Sequence, residues 1–205
     1  MGILDHSVKN VGDLHEYSKK LYTETVVSKA DSIIANLASA IKVLKENWKG
    51  ADAGVNIKDV IDIYNEIVEV RNLLANLAKD SNVIAVGYRE IQDGNRANKG
   101  ALTPISITTK NRDNEPFSDT SDTIYITPSA AAGKDLLSRA AADIQGFVDS
   151  AKLYKGEVLA NWFSGPGRNQ ADKAFEDFEK SSKAKQAKLE EVATIVGKAV
   201  DSYNI

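Results

Sequence analysis

The sequence predicts an all-α protein in which four long antiparallel helices pack as a bundle. In four separate stretches, apolar residues recur at spacings of three and four, as they do on the buried face of an α-helix. The two tryptophans of the chain, Trp48 and Trp162, each fall at the end of a helical stretch and shortly before a glycine. Because glycine gives the backbone the freedom to leave a helix, we expect two helical hairpins that each turn at a tryptophan.

The first predicted hairpin spans residues 1–93, and its first helix begins near Gly12 or Asp13. The helix ends at Trp48, and the spacing places seven apolar residues on one of its faces. This stripe consists of Val27, Ala30, Ile34, Leu37, Ile41, Leu44 and Trp48.

The second helix of this hairpin follows a turn that contains Gly50. Asn56 has a side chain suited to cap the new helix. The stripe that follows is the most regular in the chain and consists of Val60, Ile63, Ile67, Val70, Leu74 and Leu77. It weakens at residues 80–82, and the helix ends by Gly94. We expect Trp48 to be buried against the start of this second helix, near residues 55–60.

A connecting segment, residues 94–127, separates the two hairpins and has a different composition. It contains Pro104 and Pro116 and is rich in Thr, Asn, Asp and Ser. Residues 105–109 and 123–127 are rich in β-branched side chains, which favour strands. The segment therefore predicts a small β-hairpin with a long loop, and the alternative is a linker without fixed structure.

The second predicted hairpin spans residues 128–205. Thr127 and Pro128 have the residue types of a helix start. The stripe of the third helix consists of Leu137, Ala140, Ile144, Phe147, Ala151, Tyr154 and Val158. This helix turns at Trp162 and Gly165.

The fourth helix spans about residues 169–203 and has an interrupted stripe. Its apolar residues are Ala171, Phe175, Phe178, Leu189, Val192, Val196, Ala199 and Tyr203. Ser182 and Lys185 stand between the two halves of this stripe. The middle of the helix is therefore expected either to be the least buried segment of the bundle or to face a polar partner.

Composition excludes several classes of function. The net charge of -3 gives no electrostatic reason to expect nucleic acid as a partner, and there is no cysteine. No apolar run approaches the roughly 20 residues of a membrane-spanning helix. His6 and His15 lack a neighbouring pattern of zinc ligands, and no convergent acid–base or nucleophile set is visible. We therefore expect a protein that is not an enzyme and that has no cofactor, metal site or stable membrane span.

The plan of long helix, Trp-x-Gly turn and long helix resembles the WXG family, the small secreted helical hairpins of bacterial type VII secretion. Trp48-Lys49-Gly50 matches the motif of that family. Trp162-Phe163-Ser164-Gly165 has one more residue between the tryptophan and the glycine. The chain thus looks like two such hairpins fused in tandem, over about four-fifths of its length.

This resemblance implies an interaction protein. Members of the family pair as homodimers or heterodimers that form four-helix bundles, and they act as secreted substrates, adaptors or chaperone-like partners. The resemblance therefore implies a helical protein partner. Because both hairpins lie in one chain, a monomer whose halves imitate the dimer is expected, and a homodimer is the alternative.

The resemblance also implies a location. The N-terminal residues have no basic segment followed by an apolar core, so no conventional secretory signal peptide is expected. Secretion without such a signal, or residence in the cytoplasm before export, is what the family implies. Many members carry the export signal Tyr-x-x-x-Asp/Glu, which does not occur in this sequence. Export would then depend on a signal supplied by a partner.

A helical pore-forming toxin component is the alternative function. Some such toxins combine long helices with a β-hairpin tongue, and residues 105–127 offer a candidate hairpin. A membrane-inserting tongue needs a run of large apolar residues, whereas Thr, Ser, Asp and Asn dominate this stretch. The composition therefore favours the interaction protein.

Overall fold

The computed structural model confirms the predicted all-α bundle with a small β element. The structure is 82% helical, and the residues that it describes include a two-stranded antiparallel sheet. The structure describes residues 8–94, 101–115, 117–120, 125–162 and 166–203. Within these ranges, no helix has both the length and the apolar character needed to cross a membrane.

The helices lie close to their predicted positions. In chain order the elements are α1 (Val11–Lys20), a π-helix (Leu21–Ala30), α2 (Asp31–Asn47), β1 (Trp48–Lys49), α3 (Ala51–Gly94), β2 (Tyr125–Ile126), α4 (Ala130–Asn161) and α5 (Pro166–Tyr203). The first three follow one another without a break and form the first of the four predicted long helices. Asn10 caps α1, since its Oδ1 accepts a hydrogen bond of 3.2 Å from the N–H of Asp13.

The π-helix explains why one residue of the predicted stripe is wrong. Hydrogen bonds from residue i to residue i+5 bring residues five apart onto one side of a π-helix. Leu21 and Val26 are five apart and both are fully buried, whereas the predicted Val27 is 45% exposed. The spacing of three and four assumes α-helical winding, and that assumption fails over these ten residues.

The helix α3 begins earlier than predicted. Its first residue, Ala51, follows directly on Gly50, whose φ of 113° is a conformation that favours glycine. The N–H of Gly50 donates to Oδ2 of Asp119 at 3.0 Å, so a carboxylate from the connecting segment lies at the start of α3. Asn56 is therefore not an N-cap but lies inside the helix, where its side chain donates to the Asp52 carbonyl at 2.8 Å.

Gly54 allows the connecting segment to cross α3 at close range. A Cβ atom at this position would lie 2.5 Å from the carbonyl oxygen of Asp119 and 2.9 Å from its nitrogen. Gly54→Ala is therefore expected to destabilise the fold, because the backbone at Asp119 must move and its bond to Gly50 is lost. Urea denaturation followed by circular dichroism measures the change.

Gly146→Ala in α4 is the matched control. No atom of the described chain lies within 4 Å of a Cβ built at Gly146, apart from its own helix and neighbours. This substitution is expected to stabilise the protein by up to about 1 kcal/mol, the difference in helix propensity between the two residues. Equal stabilisation by both substitutions would contradict the close crossing at Gly54.

The small sheet differs from the prediction in its pairing. β2 lies within the predicted second strand, but its antiparallel partner is β1, with Trp48 opposite Ile126 and Lys49 opposite Tyr125. Residues 105–109 are fully described and form no strand. Their backbone groups bond instead to side chains of neighbouring helices, which composition alone does not reveal.

The chain forms two compact units, each assembled from three stretches. Unit 1 consists of Met1–Lys29, Val70–Lys110 and Phe147–Phe178, and unit 2 of Ala30–Glu69, Asn111–Gly146 and Glu179–Ile205. Each of the four long helices contributes a segment to both units. The division into hairpins 1–93 and 128–205 with a linker at 94–127 stays a prediction.

The core of unit 1 joins segments of all four helices. Ser18 of α1 accepts a hydrogen bond of 3.1 Å from the side-chain amide of Asn82 in α3. The hydroxyls of Thr25 and Ser150 share a hydrogen bond of 2.7 Å between the π-helix and α4. The rings of Phe147 and Phe178 pack edge to face between α4 and α5, with their centroids 5.6 Å apart.

The core of unit 2 contains the polar interruption of the fourth helix. Ser182 and Lys185 are buried, at 3% and 8% exposure, so this part of α5 is not left open. The ammonium group of Lys185 lies 2.6 Å from Glu66 of α3 and 2.7 Å from the Ser181 hydroxyl. Of the two expectations, the structure therefore agrees with the polar partner, which is a carboxylate of the same chain.

Candidate functional site: the two Asn-Trp turns

The predicted turn residues lie in different units. Trp48 and Gly50 belong to unit 2, and Trp162 belongs to unit 1. Both tryptophans are buried, at 3% and 2% exposure. Gly165, the fourth predicted residue, lies outside the described residues. The structure therefore presents two separate turns, which we name after the dipeptide that each contains: the Asn47-Trp48 turn and the Asn161-Trp162 turn.

The Asn47-Trp48 turn is closed by the chain that leads into α4. Trp48 is extended, with φ −136° and ψ 123°, and pairs with Ile126. The N–H of Thr127 donates to the Asn47 carbonyl at 2.9 Å, and the Thr127 hydroxyl donates to Oδ1 of Asn47 at 2.6 Å. The Asn47 amide nitrogen donates in turn to the carbonyl of Val43 at 2.9 Å. Asn47 thus links the end of α2 to Thr127, the residue that follows β2, through hydrogen bonds.

The Asn161-Trp162 turn repeats this arrangement with the chain that leads into α1. Trp162 forms an antiparallel bridge with Val8. The N–H of Lys9 donates to the carbonyl of Asn161 at 3.0 Å. The Asn161 amide nitrogen donates to the carbonyl of Glu157 at 3.0 Å, four residues earlier. Each of these three contacts has a counterpart in the first turn, which has in addition the bond from the threonine hydroxyl and the pair of Lys49 with Tyr125.

The two turns reveal an internal repeat that was only partly visible in the sequence. In each predicted hairpin, the turn closes on the residues that lead into the other hairpin, which form a strand at Tyr125–Ile126 and an isolated bridge at Val8. The tryptophans were predicted as turn residues, whereas the roles of Asn47 and Asn161 were not. The sequence does show that asparagine precedes both tryptophans. This dipeptide alone does not indicate a turn, because its bonds depend on residues that lie elsewhere in the chain.

Trp48 is buried, as predicted, but one of its neighbours was not predicted. The start of α3, near residues 55–60, was expected to cover the ring; Val60 in this range is fully buried, whereas Val55 is 63% exposed. The extended backbone of Trp48 instead takes Ile126 as its neighbour, and the side chain of Ile126 is buried at 5% exposure. Ile126 lies 78 positions later in the chain, so a local sequence pattern cannot indicate that it neighbours Trp48.

A cleft of about 450 Å³ lies in unit 2 beside the connecting segment. It is lined by Ala38, Ile41, Lys42, Lys45, Glu46, Tyr64, Asn111, Arg112 and Asp113. Lys45 pairs with Asp113 at 3.3 Å, and Arg112 lies 3.6 Å from Glu69. Burial raises the pKa of Tyr64, and the charge of Asp113 raises it further. The cleft therefore holds paired charges and a neutral phenol at physiological pH.

Of the two histidines, the structure describes His15. His6 lies outside the described residues. The ring of His15 donates through Nε2 to the carbonyl of Thr103 at 3.2 Å. In the part of the chain that the structure describes, no group of three His, Cys, Asp or Glu side chains is placed to hold a metal ion.

No family model, curated protein or solved structure matches this chain. The resemblance to the WXG family therefore depends on Trp48-Lys49-Gly50 and on the plan of the helices. The structure itself shows two turns in which asparagine and tryptophan form similar backbone bonds.

Proposed function

We propose that the protein is a non-enzymatic interaction protein that resembles the WXG-type substrates or adaptors of type VII secretion and binds helical partner proteins. The observation that supports this proposal is the equivalence of the Asn47-Trp48 and Asn161-Trp162 turns. Each turn closes on the strand that leads into the other predicted hairpin, as the two chains of a symmetric dimer would do. The chain then imitates, within itself, the paired hairpins of the resembled family.

A monomer is the state expected from this arrangement. A covalent connection turns the pairing of two hairpins into an intramolecular event with a high effective concentration. The lead-in strands at Val8 and Ile126 are already paired within the chain. Self-association is therefore not needed to close either turn.

The surface of unit 1 offers a place for a helical partner. Val27 of the π-helix and Leu153 of α4 are 45% and 55% exposed. These two helices are neighbours, since Thr25 bonds to Ser150 and Tyr154 donates to Glu24. Apolar anchors of this kind are what an amphipathic helix contacts when it packs against a bundle.

Two measurements test the proposal. Light scattering at low micromolar concentration is expected to give the mass of one chain. In a bacterium with a functional type VII system, the tagged chain is expected in the medium when a partner carrying the export signal is co-expressed. Deletion of the secretion ATPase is expected to retain the chain in the cells.

Matched variants separate binding from folding. Val27→Asp together with Leu153→Asp is expected to abolish export while the circular dichroism spectrum stays unchanged. Val55→Asp, at a more exposed apolar residue of unit 2, is the control and is expected to be exported normally. Export that does not depend on the ATPase would contradict the secretion proposal, and a purely dimeric species would contradict the internal pairing.

A further inference from the structure

Unit 1 contains a stretch of chain, residues 103–110, that has no secondary structure but many hydrogen bonds; we call it the strap. It belongs to the segment that connects the two predicted hairpins. The strap contacts side chains of α1, the π-helix and α3, and we call the surface formed by these side chains the strap groove. The way in which the groove binds the strap indicates what else it can bind.

Two aromatic side chains form one wall of the strap groove. The imidazole of His15 donates to the carbonyl of Thr103 at 3.2 Å. The hydroxyl of Tyr22 accepts a hydrogen bond of 3.1 Å from the N–H of Thr108. These side chains lie seven residues apart on α1 and the π-helix, and both reach the strap backbone.

Three polar side chains of α3 form the other wall. Oδ1 of Asn82 accepts from the N–H of Ile105 at 3.0 Å. The guanidinium group of Arg71 donates to the Thr108 carbonyl. Asn72 binds both backbone groups of Lys110, since its Oδ1 accepts from the N–H at 3.0 Å and its Nδ2 donates to the carbonyl at 2.8 Å.

These six hydrogen bonds all end on main-chain atoms of the strap. Arg71 also reaches a strap side chain, the Thr108 hydroxyl, but only at 3.4 Å. Side chains of an incoming segment would therefore matter little for these bonds. What the groove requires is an extended backbone with N–H groups free at the positions of Ile105, Thr108 and Lys110.

The spacing of the groove fits an extended chain. Asn72 and Asn82 are ten residues apart on α3, a distance of about 15 Å along the helix axis. Their partners Lys110 and Ile105 are five residues apart, about 16–17 Å in an extended chain. The two distances agree to within about 2 Å. In an extended segment, the backbone groups of Ile105 and Lys110 can therefore reach Asn82 and Asn72 at the same time.

The deepest residues of the groove are buried when the strap is in place. Arg71, Asn82 and Ser18 have no exposed surface. The Asn82 amide is oriented by its bond of 3.1 Å to the Ser18 hydroxyl. A buried polar group without a hydrogen-bond partner is costly, and the backbone of the strap supplies partners to Arg71 and Asn82.

We propose that the strap groove is a binding site for extended polypeptide segments, which the strap occupies in cis and which a segment from another protein can occupy when the strap leaves. The partner is an extended segment without proline at the three positions that donate N–H groups. Recognition of this kind resembles strand addition to a sheet, where main-chain bonds supply affinity. The proposal goes beyond the helical partner and does not depend on it.

A peptide-binding experiment tests this proposal on the full chain. A fluorescent peptide with the sequence of residues 101–114 is titrated with the unchanged protein and with the variant Thr108→Pro/Lys110→Pro. The variant loses two N–H groups of the strap, those bonded to Tyr22 and Asn72, so its own strap competes less. Fluorescence polarisation is expected to show binding about tenfold or more tighter to the variant, because the groove is open in a larger fraction of molecules.

Altered peptides test main-chain recognition. A peptide with the same two prolines is expected not to bind the variant. A peptide in which the side chains at 105–109 are exchanged among themselves is expected to bind within about threefold of the original. Asn72→Ala, added to the double-proline variant, is expected to weaken binding about tenfold, since two hydrogen bonds are lost.

Several outcomes would overturn the proposal. Equal binding to the unchanged protein and to the double-proline variant would show that the strap does not occupy the site. Binding of the proline-containing peptide would show that the contacts are not made to the main chain. If the double substitution prevents folding, Lys110→Pro alone provides the same comparison, because Asn72 is only half-buried.

Discussion

Replacing Trp48 or Trp162 by alanine is expected to lower the free energy of unfolding by about 3–5 kcal/mol. Both side chains are almost fully buried, so each truncation removes a large apolar contact and leaves a cavity. Because the two turns have equivalent bonds, the two substitutions are expected to have similar effects. Urea denaturation followed by circular dichroism measures both.

Val55→Ala is the matched control for the tryptophan variants. Val55 lies near the Asn47-Trp48 turn in sequence but is 63% exposed, so its truncation is expected to change stability by no more than about 0.5 kcal/mol. A Trp48→Ala protein with unchanged stability would show that the ring does not hold the turn together. If such a protein also failed to bind its partner, Trp48 would be a recognition residue instead.

Asn82→Ala is expected to cost about 2–4 kcal/mol of stability, since two groups lose their partner. The Ser18 hydroxyl loses a donor inside the core, and the N–H of Ile105 loses its acceptor. Both losses occur where Asn82 is fully buried, so water cannot replace the missing amide.

Asn72→Ala offers the same chemistry at a more exposed place. Its two bonds to Lys110 lie where water can reach them, and the expected cost is about 1 kcal/mol. The difference between the two variants in urea denaturation measures the effect of burial. Equal costs would mean that the strap contributes little and that the groove closes without it.

The sequence alone predicted the helices because their signal is local. All six residues of the stripe in α3, from Val60 to Leu77, are buried as the spacing of three and four requires. The break at Trp48 was predicted for the same reason, since the apolar stripe ends there beside Gly50. In the described helices, Leu21–Ala30 has π-helical winding, and there the prediction failed at Val27.

The polar contacts could not be predicted because they join distant parts of the chain. Ser81 and Asn82 weakened the apolar pattern of the second helix, yet both side chains are fully buried. The Ser81 hydroxyl is satisfied within its own helix by the carbonyls of Leu77 and Ala78, whereas Asn82 bonds to Ser18 and Ile105, which lie far away in sequence. A polar residue within a helix shows only that the helix has a polar position, not what fills the space beside it.

The candidate site was predicted in part for a related reason. Trp48 and Trp162 were recognised because tryptophan is rare and large, whereas Asn47 and Asn161 are ordinary polar residues. Their role depends on the N–H groups of Thr127, at the end of the connecting segment, and of Lys9, before the first helix, both of which lie far away in sequence. Only the arrangement of the helices brings these pairs together.

The main-chain bonding of the strap has a consequence for how the sequence can vary over evolution. Side chains at most strap positions are free to drift, because the groove holds Ile105, Thr108 and Lys110 by their N–H groups. Proline is the residue type that is not expected at these positions, since it has no N–H. Across diverging lineages, the strap would therefore lose recognisable similarity first, while Asn72 and Asn82 on the facing helix would stay fixed.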